Sequence, residues 1–84
     1  MVEEAQAVEV YPNPSQGLYT LRIAGITGDA VAKVYSMTGQ LVQQIAVAEG
    51  TQQIPLNLND VAEGIYLLRF ESASFVKEVK VIKN

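Results

Sequence analysis

Apolar side chains recur along this chain at every second position and nowhere at helical spacing. Tyr19, Leu21 and Ile23 alternate with Leu18, Thr20 and Arg22, and Ala30, Ala32 and Val34 alternate with Val31, Lys33 and Tyr35. A period of two puts one set of side chains on each face of an extended chain, so each run predicts a half-buried strand. Leu41, Ile45 and Val47 share a face with Gln43, and Ile54, Leu56 and Leu58 form another apolar face. Tyr66, Leu68 and Phe70 make one face of a sixth run, with Ile65, Leu67 and Arg69 opposite. The last run, FVKEVKVIK from Phe75 to Lys83, carries apolar residues on both faces; its register is ambiguous, and a bulge there would reconcile it.

Turn signals separate these runs at near-regular intervals: PNPSQG, GITGD, TG, EG, NLNDVAEG and SAS. About seven short strands punctuated in this way predict an all-β fold, an antiparallel sandwich of immunoglobulin-like type. Pro55 has no N–H to give to a ladder, which assigns its strand to a sheet edge. A single turn near Asp60 to Glu63 is the only helical candidate. No internal repeat or second domain is visible.

Composition narrows the picture. The 84 residues suit one domain, and 49% hydrophobic residues suffice for a packed core. Cysteine is absent, so neither a disulfide nor a thiolate metal site supports the fold. The net charge of −3 argues against a nucleic-acid partner. No apolar run reaches membrane-spanning length and no segment reads as a signal peptide, so an exported chain would take that signal from a longer precursor. Glu3, Glu4 and Glu9 make the start acidic, whereas Lys77, Lys80 and Lys83 against Glu78 make the end mildly basic. Residues 1–7 read as a flexible leader or linker remnant, with the domain over 8–84.

The stretch YPNPSQGLY, Tyr11 to Tyr19, has a physical reading of its own. Pro12 ends the hydrogen bonding of a first strand, Pro14 biases Asn13 towards extended geometry, and Gly17 permits a positive φ where the chain enters the next strand. The Asn13 carboxamide is expected to bond nearby backbone and hold the corner. In LNLNDVAEGIYLLRF, Leu56 to Phe70, the order of Leu58, a polar corner, Gly64 and Tyr66 resembles a tyrosine corner, in which a buried ring sends its hydroxyl to upstream backbone. Tyr66 as a stacking platform for a sugar or base is the alternative. Asn57, Asn59, Asp60 and Glu63 offer oxygen ligands, but their order does not match a calcium loop.

Catalysis has little to work with. Without histidine or cysteine, no serine–histidine or cysteine–histidine nucleophile can be assembled. Gly25 to Gly28 lacks the following lysine and helix of a phosphate loop. No enzyme activity, cofactor or metal is expected.

Four motifs combine into a resemblance. YPNPSQGLYTL, VYSMTGQLV (Val34 to Val42), LNDVAEGIYLLRF and FVKEVKVIKN follow one another in the order and spacing of the type A C-terminal sorting domain of the type IX secretion system. The chain resembles that family from about Val8 to Asn84. Ser36 departs from the aspartate or asparagine common before the central turn, although serine can also cap it.

The resemblance implies a delivery role. Such domains end cargo proteins of diderm bacteria and direct them from the periplasm through an outer-membrane translocon to the surface or medium. A sortase-like peptidase then usually removes the domain; here the cleavage site would lie within or before Met1 to Ala7. The implied partners are the translocon, the peptidase and a covalently attached N-terminal cargo. Candidate recognition residues are Lys77, Lys80, Val81, Lys83 and Asn84 of the last strand and Thr38, Gly39 and Gln40 of the central turn. Pro12, Asn13, Pro14, Gly17, Gly39, Gly64 and Tyr66 are the motif residues expected to maintain shape. The other function considered is a non-catalytic adhesive or carbohydrate-binding β-sandwich of a secreted protein. An exposed edge near Pro55 or at either terminus would allow a homodimer by strand pairing.

Overall fold

The computed structural model describes residues 7–24, 28–73 and 76–84. Seven strands follow one another: β1 (Ala7–Tyr11), β2 (Leu18–Ala24), β3 (Ala30–Ser36), β4 (Leu41–Val47), β5 (Gln53–Asn57), β6 (Gly64–Ser72) and β7 (Val76–Lys83). They form two antiparallel sheets, ordered β1-β2-β5 and β4-β3-β6-β7. There is no helix among the described residues, and Asp60 to Glu63 forms turn and bend rather than a helical turn. The leader expected over residues 1–7 lies outside the described residues except for Ala7, which opens β1.

Period-two alternation explains the core. Tyr19, Leu21 and Ile23 of β2, Ala32 and Val34 of β3, and Tyr66, Leu68 and Phe70 of β6 are buried, while the residues between them are not. Val8, Val10, Val47, Leu56, Leu58 and Val81 complete a cluster to which both sheets contribute. Phe70, Leu21, Leu56, Leu58 and Leu68 are fully buried, and each such side chain is worth about 1.5–3 kcal/mol. Pro55 stands on β5, at the edge of the three-stranded sheet, where its missing N–H breaks no ladder.

The bulge falls elsewhere than the sequence suggests. β7 pairs with β6 without a slip, from Gly64 opposite Lys83 to Glu71 opposite Val76. Its double apolar face has another cause: Val79 and Val81 point to the core, while Ile82 and Val76 lie on the outer face. The irregularity is between β3 and β4, where Val34 faces Gln43 but Tyr35 faces Leu41, leaving Val42 as the extra residue. That residue reverses the parity of the strand start. Leu41 therefore turns outward and is 46% exposed, instead of sharing the inward face of Ile45 and Val47. Phe75, in the last apolar run, lies outside the described residues.

Candidate functional site

The loop after β1 reaches across to the other sheet and fastens the outer edge of β7. Asn13 Nδ2 donates to the Lys80 carbonyl at 2.7 Å, and the Ile82 N–H donates to Asn13 Oδ1 at 2.9 Å. Ser15 continues the seam: its N–H donates to Ile82 O at 3.1 Å, and the Asn84 N–H donates to Ser15 O at 2.9 Å. The Tyr19 hydroxyl, rising from the core face of β2, donates to the same Ile82 carbonyl at 2.6 Å. Asn13 thus does not close a local corner as expected. The chain leaves β1 at Pro12 and carries the carboxamide to β7, where its donor and acceptor fit the spacing of one exposed strand edge. The Tyr11–Pro12 and Asn13–Pro14 peptide bonds are both cis.

This seam also corrects the idea of a free C-terminal edge. Backbone groups of Lys80, Ile82 and Asn84 on the side away from β6 are occupied by Asn13 and Ser15. That stretch has no ladder to offer a second copy of the chain.

A second seam joins Gly17 to the corner before β6. The Leu58 N–H donates to Gly17 O at 2.7 Å. Gly17 is buried with φ +142°, and a Cβ there would overlap the Asn59 carboxamide. Both the backbone angle and the close approach therefore require glycine. Tyr66 is buried, and its hydroxyl donates to the Ala62 carbonyl at 2.5 Å, the geometry of a tyrosine corner. Gly64 opens β6 opposite Lys83.

The candidate recognition residues do not form one surface. Lys77 and Lys80 are both exposed but stand three positions apart on a strand, so they point to opposite faces. Val81 is fully buried and has no surface to present. Lys83 is not a solvated lysine either: its ammonium donates to the carbonyls of Leu58 at 2.9 Å, Asn59 at 3.3 Å and Val61 at 2.5 Å. The loop from Leu58 to Val61 turns its carbonyls towards β7, and the cation satisfies them. Asn84 is exposed and tied through its N–H. Thr38, Gly39 and Gln40 are exposed on the β3–β4 turn, held by Ser36, whose Oγ lies 2.8 Å from Thr38 Oγ1 and accepts from the Gln40 N–H at 3.3 Å. Gly39, at φ +88°, completes that turn.

Electrostatics divides the outer face of the four-stranded sheet. Lys33–Glu71 at 3.3 Å, Arg69–Glu71 at 2.6 Å and Arg69–Glu78 at 3.3 Å form a paired network. The Lys33 hydrogen bond holds the Glu71 carboxyl below its usual range against a smaller opposing effect of burial, and Arg69 adds to the lowering. Burial raises the Tyr19 phenol above its ordinary value; the hydrogen bond to Ser15 O opposes the rise and Tyr66 adds to it. Among the described residues, no group of three or more carboxylates gathers as a metal site.

Two contributors escaped the sequence reading: Ser15, and Lys83 as a cap of carbonyls. Tyr19 carried a signal, since a tyrosine on the core face needs a partner for its hydroxyl. Nothing in one sequence could name Ile82 O as that partner.

The family model for the secretion system C-terminal sorting domain matches residues 9–84. No curated protein matches the chain.

Proposed function

The chain belongs to the family of secretion system C-terminal sorting domains, associated with type IX secretion, and on that premise we propose that it is a folded delivery signal for an attached cargo. In this reading the domain carries an exported N-terminal cargo through the outer-membrane translocon to the surface or medium. A sortase-like peptidase then cuts within or before the leader, residues 1–7, ahead of the domain of residues 8–84.

One observation carries this reading: the family match runs over residues 9–84, nearly the whole chain. The motif residues supply the shape being delivered. Asn13, between Pro12 and Pro14, fastens β7, and Gly17 fastens the corner before β6; Gly39 completes the β3–β4 turn, Gly64 opens β6 and Tyr66 closes its corner. Strand orders β1-β2-β5 and β4-β3-β6-β7, with a tyrosine corner opening the sixth strand, support an immunoglobulin-like sandwich. Contacts with the translocon fall to exposed groups: Lys77, Lys80, Asn84, Thr38, Gly39 and Gln40. The carbohydrate-binding alternative lacks an aromatic platform in Tyr19, Tyr66 and Phe70, which are buried.

The test fuses the chain to the C-terminus of a reporter bearing its own signal peptide, in cells with a type IX translocon. The reading expects reporter that external protease can reach, and reporter held in the periplasm when the translocon is deleted. Periplasmic retention in both strains contradicts it, as does surface delivery in both.

A further inference from the structure

One cross-strand row runs over all four strands on the outer face of the sheet β4-β3-β6-β7. Leu41 faces Tyr35, Tyr35 faces Leu67, and Leu67 faces Lys80. Ile65, 43% exposed, and Met37, 71% exposed, flank the row beside the turn of Thr38 to Gln40. Tyr35, Met37, Ile65, Leu67 and Lys80 line one shallow concavity of about 350 Å³. Singly exposed apolar residues are ordinary on a protein surface, whereas a contiguous exposed apolar patch often marks an interaction site. Moreover, Leu41 belongs to this row only because the Val42 bulge turns it outward.

Charge selects the occupant. On the same face Lys33, Arg69, Glu71 and Glu78 neutralise one another in ion pairs. Lys80 takes part in none of the ion pairs among the described residues and ends the apolar row as an unmatched cation. A complementary ligand therefore presents apolar groups and one anion a few ångströms to the side. The concavity is shallow and floored by the sheet, so it suits short side chains on an extended backbone better than a long acyl chain.

We propose that this row is a docking surface for an extended segment of a partner protein in which apolar side chains flank an aspartate or glutamate. It rests on the sorting reading for its biological use: the partner belongs to the secretion machinery, and the β3–β4 turn and Lys80 are read together as one site. Lys77, on the other face of β7, lies outside it.

The experiment titrates the isotopically labelled 84-residue chain with the peptide LVDLV and, separately, with LVKLV, following backbone amide shifts by NMR. LVDLV is expected to shift Tyr35, Met37, Ile65, Leu67 and Lys80 selectively and to bind about tenfold more tightly than LVKLV. Lys80→Glu is expected to invert that preference, whereas Lys77→Glu leaves it unchanged; matching thermal midpoints establish that both variants fold. Absence of shifts at these residues, or equal response to both peptides, overturns the proposal. So does binding of anionic phospholipid vesicles through the same residues without binding of LVDLV, which would assign the patch to a lipid surface. A parallel reporter fusion separates the two claims. Export without peptide binding leaves the sorting reading and removes this surface; peptide binding without export does the reverse.

Discussion

The Ile82 amide donates to Asn13 Oδ1 at 2.9 Å across 69 positions of sequence. The same carboxamide returns a hydrogen bond from Nδ2 to the Lys80 carbonyl. One side chain from the first turn thereby stands in for a neighbouring strand along the edge of the last. Asn13→Ala removes both bonds and should lower unfolding stability by about 1–3 kcal/mol. Asn13→Asp keeps the acceptor for Ile82 but turns a second carboxylate oxygen on the Lys80 carbonyl where the donor stood, so it should also lower stability. Chemical denaturation of the three proteins checks this; an Asn13→Ala variant as stable as the parent contradicts the clamp.

The three lysines of the last strand should separate in the same assay. Lys83→Gln withdraws a cation from three carbonyls and is expected to cost about 1.5–3 kcal/mol. Lys77→Gln and Lys80→Gln, both exposed, should each change stability by less than about 0.5 kcal/mol. Loss of export by a Lys83 variant therefore reports on folding first, and only Lys77 and Lys80 are clean probes of contact. Equal effects at all three positions would contradict the carbonyl cap.

Gln43 offers the opposite sign. Its Oε1 is buried beside the bulge with no hydrogen-bond partner. An unsatisfied buried acceptor is costly, so Gln43→Met should raise stability, by about 1 kcal/mol. A lower thermal midpoint in this variant would mean that the carboxamide supports the bulge.

Alkaline pH tests the Tyr19 seam. Its raised pKa means that the neutral phenol is favoured in the folded state. The stability it contributes is fully present below the unfolded tyrosine pKa, about 10, and is lost as pH rises through the higher folded value. The stability gap between the parent and Tyr19→Phe should therefore be constant up to about pH 10 and narrow above it. A gap that widens at high pH contradicts the assignment.

Strand number, the inward faces of β2, β3 and β6, the edge position of Pro55 and the Tyr66 corner were all legible in sequence. Each is set by period-two alternation or by the covalent nature of one residue, which a single chain displays. The partners of Asn13 and Lys83 were not. Both reach groups far away in sequence, and backbone carbonyls carry no sequence label. The bulge was misplaced for a related reason: Val42 is an apolar residue in an apolar run, and only its pairing with β3 distinguishes it. An apolar–basic terminus reads in sequence as a recognition strand, but burial removes Val81 from the surface and the Leu58–Val61 carbonyls turn Lys83 to structural use.

The opening loop and the last strand form one unit, which holds the C-terminal strand in a fixed register. Amide hydrogen exchange at Ile82, compared with Leu68 in the centre of β6, tests it most directly. In the parent both amides should be protected. In Asn13→Ala, exchange at Ile82 should accelerate about tenfold more than at Leu68, the equivalent of one lost hydrogen bond of ~1.4 kcal/mol. Acceleration at Ile82 no greater than at Leu68 would contradict the clamp.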